Sequence, residues 1–123
     1  MGQADTNGYI TKFVDNIKNS VNTVFIPGNV FTIYGSNIKI AGNSSDIGVF
    51  FVPEEDPSKA VKVKNLIENF TAKVMGIAPD TGYRYNKIEI RTQYTTSHYY
   101  ISKSIRVIRS EFVLERVGLL NSD

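Results

Sequence analysis

The sequence predicts an all-β domain, an antiparallel sandwich of about seven to nine strands, and three observations carry that prediction. Val, Ile, Thr, Phe and Tyr are abundant, and their branched or flat side chains suit a pleated, half-buried surface. Apolar and polar residues alternate with period two, and clusters of Gly, Pro, Asn, Asp and Ser interrupt the alternation at short intervals. No segment sustains the periodicity of a long helix. With 123 residues the chain is long enough for one core and too short for two.

In chain order, Tyr9 to Val14 reads as the first strand, followed by the polar stretch Asp15 to Ser20. Val21 to Ile26 is a second apolar run that Pro27-Gly28 turns. Val30 to Tyr34 alternates β-branched and aromatic residues, Gly35-Ser36-Asn37 breaks it, and Ile38 to Ile40 resumes briefly before the loop Ala41 to Asp46. Ile47 to Val52 is apolar almost throughout, as a central strand should be, and its Gly48 marks a close backbone approach. Pro53 to Ser58 holds two prolines and three consecutive carboxylates, so it is expected to be an exposed loop outside any ladder.

Ala60 to Lys64 gives a short strand, Leu66 to Phe70 a turn or irregular piece, and Lys73 to Ala78 a strand ended by Pro79. Asp80-Thr81-Gly82 turns the chain into Asn86 to Tyr94, where the alternation is clearest. Ile88, Ile90, Thr92 and Tyr94 share one face there, and Lys87, Glu89, Arg91 and Gln93 form a wet one. Ile101 to Ile108 is the antiparallel partner across the loop Thr95 to Tyr100, and Glu111 to Val117 fits an edge strand or a helical turn. The core is expected to hold Ile33, Val49, Phe51, Ile88, Ile90 and Val107.

A formal net charge of +2 is far below the basic excess of a chain built mainly to neutralise phosphate. All five arginines nonetheless lie between Arg84 and Arg116, so an anionic partner would meet the C-terminal strands. Cysteine is absent, which excludes disulfides and thiol chemistry and leaves stability to packing. No run approaches the roughly 18 apolar residues of a membrane span, and Met1 to Gly8 lacks the regions of a signal peptide. Residues 1–8 are expected to be a disordered start or linker in a piece excised from a longer protein, 9–117 the folded domain and 118–123 a tail.

A hydrolytic site needs a nucleophile, a base and an orienting group, and the single histidine, His98, sits in a polar loop beside aromatics where stacking or exposure suits it better. Glu54-Glu55-Asp56 offers oxygen ligands to a hard cation but lacks the alternating spacing of a calcium loop. The glycines stand singly at strand breaks, with no phosphate loop, zinc cluster or dinucleotide fingerprint. No catalytic, cofactor-binding or metal-ligating residue is therefore assigned. Asn43-Ser44-Ser45 and Asn69-Phe70-Thr71 match a glycosylation acceptor pattern short enough to arise by chance.

The cluster suited to contact is Arg84, Tyr85, Lys87, Arg91, Tyr94, His98, Tyr99, Tyr100 and Arg106. Its cations neutralise phosphate or carboxylate, and its rings stack on bases or sugars. With Arg109 added, the candidate contact residues are Lys87, Arg91, His98, Tyr99, Arg106 and Arg109. The commoner arrangement has some tyrosines in the core and the cations on a solvated strand face. Ile17 to Ile26, read as an edge with exposed Val and Phe, is a second candidate surface for a preceding domain or a second copy.

The run Pro27-Gly28, Phe31-Thr32-Ile33-Tyr34-Gly35, Ile38-Lys39-Ile40-Ala41-Gly42 and Ile47-Gly48-Val49-Phe50-Phe51-Val52 continues through Asn65 to Asn69, Ala78-Pro79 and Ile88-Glu89-Ile90-Arg91-Thr92-Gln93-Tyr94 to Ser97. In that order the motifs resemble a bacterial domain of unknown function with an immunoglobulin-like (IPT/TIG-like) fold, found after an HU-like DNA-binding domain. The resemblance spans Val21 to Arg106. Ser104-Ile105-Arg106-Val107 stands where that family usually carries a Pro-Arg-Thr step, and Ser110 to Asp123 has no counterpart.

The resemblance implies an immunoglobulin-like antiparallel β-sandwich and a non-enzymatic accessory or interaction module in a cytoplasmic, nucleoid-associated protein. Such a module is a spacer, a protein-contact surface or a weak auxiliary DNA contact, with DNA engaged mainly through the adjoining HU-like domain. The alternative is a secreted or cell-surface module binding glycan or protein through the tyrosine-rich loop. Neither reading requires a cofactor, and the oligomeric state stays open.

Overall fold

Phe13, Phe25, Phe31 and Phe51 meet at the centre of the computed structural model, which describes residues 8–95 and 100–117. Phe13 stacks on Phe31 with ring centroids 5.2 Å apart, and Phe51 meets Phe13, Phe25 and Phe31 at 5.9, 4.8 and 5.5 Å in edge-on or tilted geometry. Such arrangements set positive ring edges against negative faces and add about 0.5 to 1.5 kcal/mol per pair beyond area burial. In a chain without disulfides, this cluster clamps two sheets together.

Eleven strands are formed among the described residues: β1 (Tyr9–Asp15), β2 (Ser20–Val21), β3 (Val24–Phe25), β4 (Val30–Ser36), β5 (Gly48–Pro53), β6 (Val61–Lys62), β7 (Leu66–Asn69), β8 (Lys73–Ile77), β9 (Tyr85–Thr95), β10 (Tyr100–Arg109) and β11 (Leu114–Arg116). One sheet has the order β2-β1-β4-β8-β7, and the other β3-β11-β9-β5-β6, with β10 also paired to β9. The immunoglobulin-like all-β sandwich expected from sequence is the observed fold. Ile33, Val49, Phe51, Ile88 and Ile90 are fully buried, as their alternation requires.

Several details differ from the sequence reading, each for a local reason. The strands exceed the expected number because Val21 to Ile26 divides into β2 and β3 in different sheets and Leu66 to Asn69 forms a strand. The pairing is not wholly antiparallel, since β11 runs parallel to β3. Pro53 is buried at the end of β5 opposite Asn86, so the exposed loop begins only after it. Phe25 and Ile26 lie in the interior, which leaves Ile17 and Val21 as the exposed apolar residues of the supposed N-terminal edge. Ile38 and Ile40 are buried without forming a strand, and Asn69 supports them by accepting from the Ile40 amide at 2.9 Å and donating to its carbonyl at 2.7 Å.

Val107 is 42% exposed and does not belong to the core, where Ile108 stands instead. The cause is the irregularity in β10, whose register passes from Ile101 opposite Tyr94 to Arg106 opposite Thr92. Five steps along β10 answer two along β9, and an odd surplus of residues exchanges the inward and outward faces. Ile108 then lies opposite Ile90, and Val107 opposite Arg91.

Candidate anion-contact face

Alternation along β5, β9 and β10 sends Val49, Phe51, Ile88, Ile90 and Ile108 inward and their immediate neighbours outward. On the outer side, Gly48 lies opposite Arg91, Phe50 opposite Glu89 and Val52 opposite Lys87. On the other flank of β9, Val107 pairs with Arg91 and Arg109 with Glu89, while Lys62 of β6 pairs with Phe50. Directly opposed residues share a face, so Lys62, Lys87, Arg91 and Arg109 gather on one surface around Glu89.

Glu89 is only 7% exposed, and two arginines share its carboxylate. Arg91 donates Nε–H to Oε1 at 2.6 Å, and Arg109 donates Nε–H to Oε2 at 2.7 Å. Charge-assisted bonds of this length are stronger than neutral ones, and they satisfy a carboxylate that burial would otherwise penalise. The Arg91 guanidinium also lies 3.8 Å from the centroid of Phe50. Phe50 is buried yet stands outside the core cluster, because an outward-facing ring is sealed here by a cation on its π face.

The strand face expected to be wet is thus a packed polar layer. Gln93 is buried as well, its Oε1 accepting from the amides of Asn43 and Ser44 at 2.8 and 2.9 Å. Lys62 lays its stem over Gly48, where an added Cβ would stand 2.8 Å from Lys62 Cε, and donates Nζ–H to the Ser45 carbonyl at 3.1 Å. The close approach at Gly48 is therefore to a side chain. Beside Arg109 lies a hollow of about 210 Å³, lined by Val52, Pro53, Pro57, Lys87 and Glu89 with Glu54 also present.

Of the candidate contact residues, Lys87, Arg91 and Arg109 are brought together on this face. Arg106 is turned inward with the other residues shifted by the β10 irregularity. Its Nε and Nη2 donate to the Tyr94 carbonyl at 2.9 and 2.5 Å, and Nη2 also reaches the Asn37 carbonyl at 3.2 Å. That ties the end of β9 to the turn after β4, and burial lowers the Arg106 pKa from its ordinary value. His98 and Tyr99 lie outside the described residues.

Arg84 and Tyr85 stand at the start of β9, about 30 Å from Tyr94 by strand rise, so the cluster read along the sequence is not one site. Arg84 pairs there with Glu115 at 2.9 Å and lies over the Tyr85 ring. Asp56, in the acidic triplet, caps the 3-10 turn Pro57–Lys59 by accepting from the Ser58 amide and hydroxyl at 3.2 and 2.6 Å. Among the described residues no three His, Asp or Glu side chains converge as a metal site, and no helix is long and apolar enough to cross a membrane. Lys62 and Phe50 were not legible as members of the face, because cross-strand register is not written in either strand alone.

A crystal structure from Bacteroides vulgatus ATCC 8482, described as that of a candidate bacterial DNA binding protein, matches this fold with a TM-score of 0.81 at 20% sequence identity. The match covers 96% of this chain and 50% of that one, so this chain spans about half the length of that protein. No curated protein matches the sequence. The family model of a domain of unknown function with an immunoglobulin-like fold, DUF4469, matches residues 9–108, most of the chain. With its two packed sheets, this chain belongs to the DUF4469 family.

Proposed function

We propose that this domain is a non-enzymatic accessory module of a DNA-binding protein and a weak auxiliary contact to the sugar-phosphate backbone through the outer face of β5, β9 and β10. The observation that carries this reading is the gathering of Lys62, Lys87, Arg91 and Arg109 on that face. Four cations stand there against two carboxylates, Glu89 and Glu54, a local excess of two that equals the formal net charge of the whole chain. The described DNA-binding character of a structural neighbour twice as long supports the same reading. An adjoining HU-like segment would then supply the main DNA contact.

Cations on a flat strand face neutralise phosphates and release their counterions, but such contacts carry no sequence information. Fluorescence anisotropy with labelled duplex at low salt and high protein concentration tests the reading. Weak binding is expected, indifferent to sequence, with the logarithm of the binding constant falling linearly with the logarithm of salt concentration. Replacing Arg91 and Arg109 by alanine together should weaken binding and flatten that salt dependence. No detectable binding at low salt would overturn the reading.

A further inference from the structure

Phosphate neutralisation alone would be served by mobile lysines, yet on this face two arginines are fixed on one buried carboxylate. We infer that Glu89 is a positioning residue that makes Arg91 and Arg109 a single seat for one phosphodiester group. The inference rests on the phosphate-contact reading above.

Each arginine is held through its Nε–H, one on each oxygen of Glu89, and this fixes the plane of each guanidinium. Among the described residues, the Nη1 and Nη2 groups of Arg91 and Arg109 carry no hydrogen bond. Those end-on edges present parallel N–H donors with the spacing that two phosphate oxygens accept. Phe50 restrains Arg91 further, its ring lying under the guanidinium. Both arginines bind the same carboxylate, one on each oxygen, which sets the two guanidinium groups on either side of Glu89, and the hollow lined by Lys87, Glu89 and Arg109 lies beside them. Part of the rotamer freedom that a surface arginine loses on binding is already lost in the free domain, more for Arg91 at 28% side-chain exposure than for Arg109 at 68%.

Glu89 also carries a negative charge on a face meant for an anion, so its two effects have opposite signs. Field strength alone makes Glu89→Gln bind DNA more tightly, because a repelling charge is removed while the shape is kept. Positioning makes Glu89→Gln bind more weakly, because a neutral amide accepts from one arginine through its oxygen and turns an N–H donor towards the other.

The test is the anisotropy titration of labelled duplex at low salt with wild type, Glu89→Gln, Arg109→Lys and the Arg91→Ala/Arg109→Ala double variant, each checked by thermal melt. A several-fold weakening in Glu89→Gln is expected, and a similar one in Arg109→Lys, which keeps the charge but lacks the fork. In the wild type, the Nε–H resonances of both arginines should shift together as duplex is added. If Glu89→Gln binds as tightly as wild type or more tightly while the double variant is weakened, the seat is overturned and the phosphate-contact reading stands. If the double variant binds like wild type, that reading fails and the seat with it. Should Glu89→Gln fail to fold, Arg109→Lys decides alone, and full binding by that variant overturns the seat.

Discussion

The two outer faces of the sandwich arise from the same strand alternation and end in opposite chemistry. On the β5-β9-β10 side two arginines share one carboxylate, and Lys87 has no acidic partner among the described residues. On the β1-β4-β8 side the register sets Val14 opposite Val21 and Val30 opposite Ile77, a largely apolar stripe in which Met75 faces Thr32, whose buried hydroxyl donates to Asn16 Oδ1 at 2.8 Å. Val21, Tyr34 and Ile77 are 46%, 37% and 48% exposed there. The two flanking cations of that side are occupied, Lys73 by Glu68 at 2.8 Å and Lys12 by the Tyr34 ring at 5.0 Å from its centroid. One carboxylate per pair of arginines leaves a surplus of charge on the first face, and individual partners leave little on the second. A modest net charge therefore says little about the local field, which register decides.

The largest expected effect breaks both faces at once, because both rest on the phenylalanine cluster. Phe51 touches three other rings, so Phe51→Ala should destabilise the domain by about 3 to 5 kcal/mol in a denaturant melt. The next sharpens the inward and outward assignment of the charged sheet. Ile90→Ala should cost about 2 to 5 kcal/mol, whereas Val107→Ala, two positions that a simple count of alternation makes equivalent, should change stability by no more than about 0.5 kcal/mol. Equal losses would mean that the β10 irregularity is misplaced.

A smaller loss than that of Ile90→Ala is expected where Arg116 grips Asp80 through Nε and Nη2 at 2.6 and 2.8 Å. These hydrogen bonds hold the Asp80 carboxyl below its ordinary pKa, although partial desolvation opposes them. A depressed folded-state pKa contributes stability above the unfolded value, about 3.9, and the contribution is lost as pH falls through the folded value. Asp80→Asn should therefore be less stable than wild type at neutral pH, by less than about 1 kcal/mol because the pair is partly exposed. Melts across pH should show that difference closing only below about pH 4.

The sandwich and most of its core were legible because Ile33, Val49, Phe51, Ile88 and Ile90 obey simple alternation. Val107 and Arg106 were not, since both lie beyond an odd insertion in β10 that only its pairing with β9 reveals. Phe25 was hidden for another reason. Val21 to Ile26 looks like one strand, but Asn22 adopts a φ of 58°, a conformation asparagine tolerates, and its Oδ1 accepts from the Phe13 amide at 2.7 Å. The chain bends there, and β3 joins the opposite sheet. Lys87, Arg91 and Arg109 were legible as cations of the C-terminal strands, whereas the roles of Glu89, Phe50 and Lys62 depend on neighbours brought in from other strands.

The contrast between the two faces is tested most directly by removing one at a time. Binding of labelled duplex at low salt is measured for Arg91→Ala/Arg109→Ala on the charged face and Tyr34→Ser/Ile77→Ser on the apolar face, each variant checked to be folded. The charged-face variant should lose most of its affinity and show a flatter salt dependence, while the apolar-face variant binds as wild type. Affinity lost only by the apolar-face variant, or equally by both, would contradict the assignment of DNA contact to the β5-β9-β10 face.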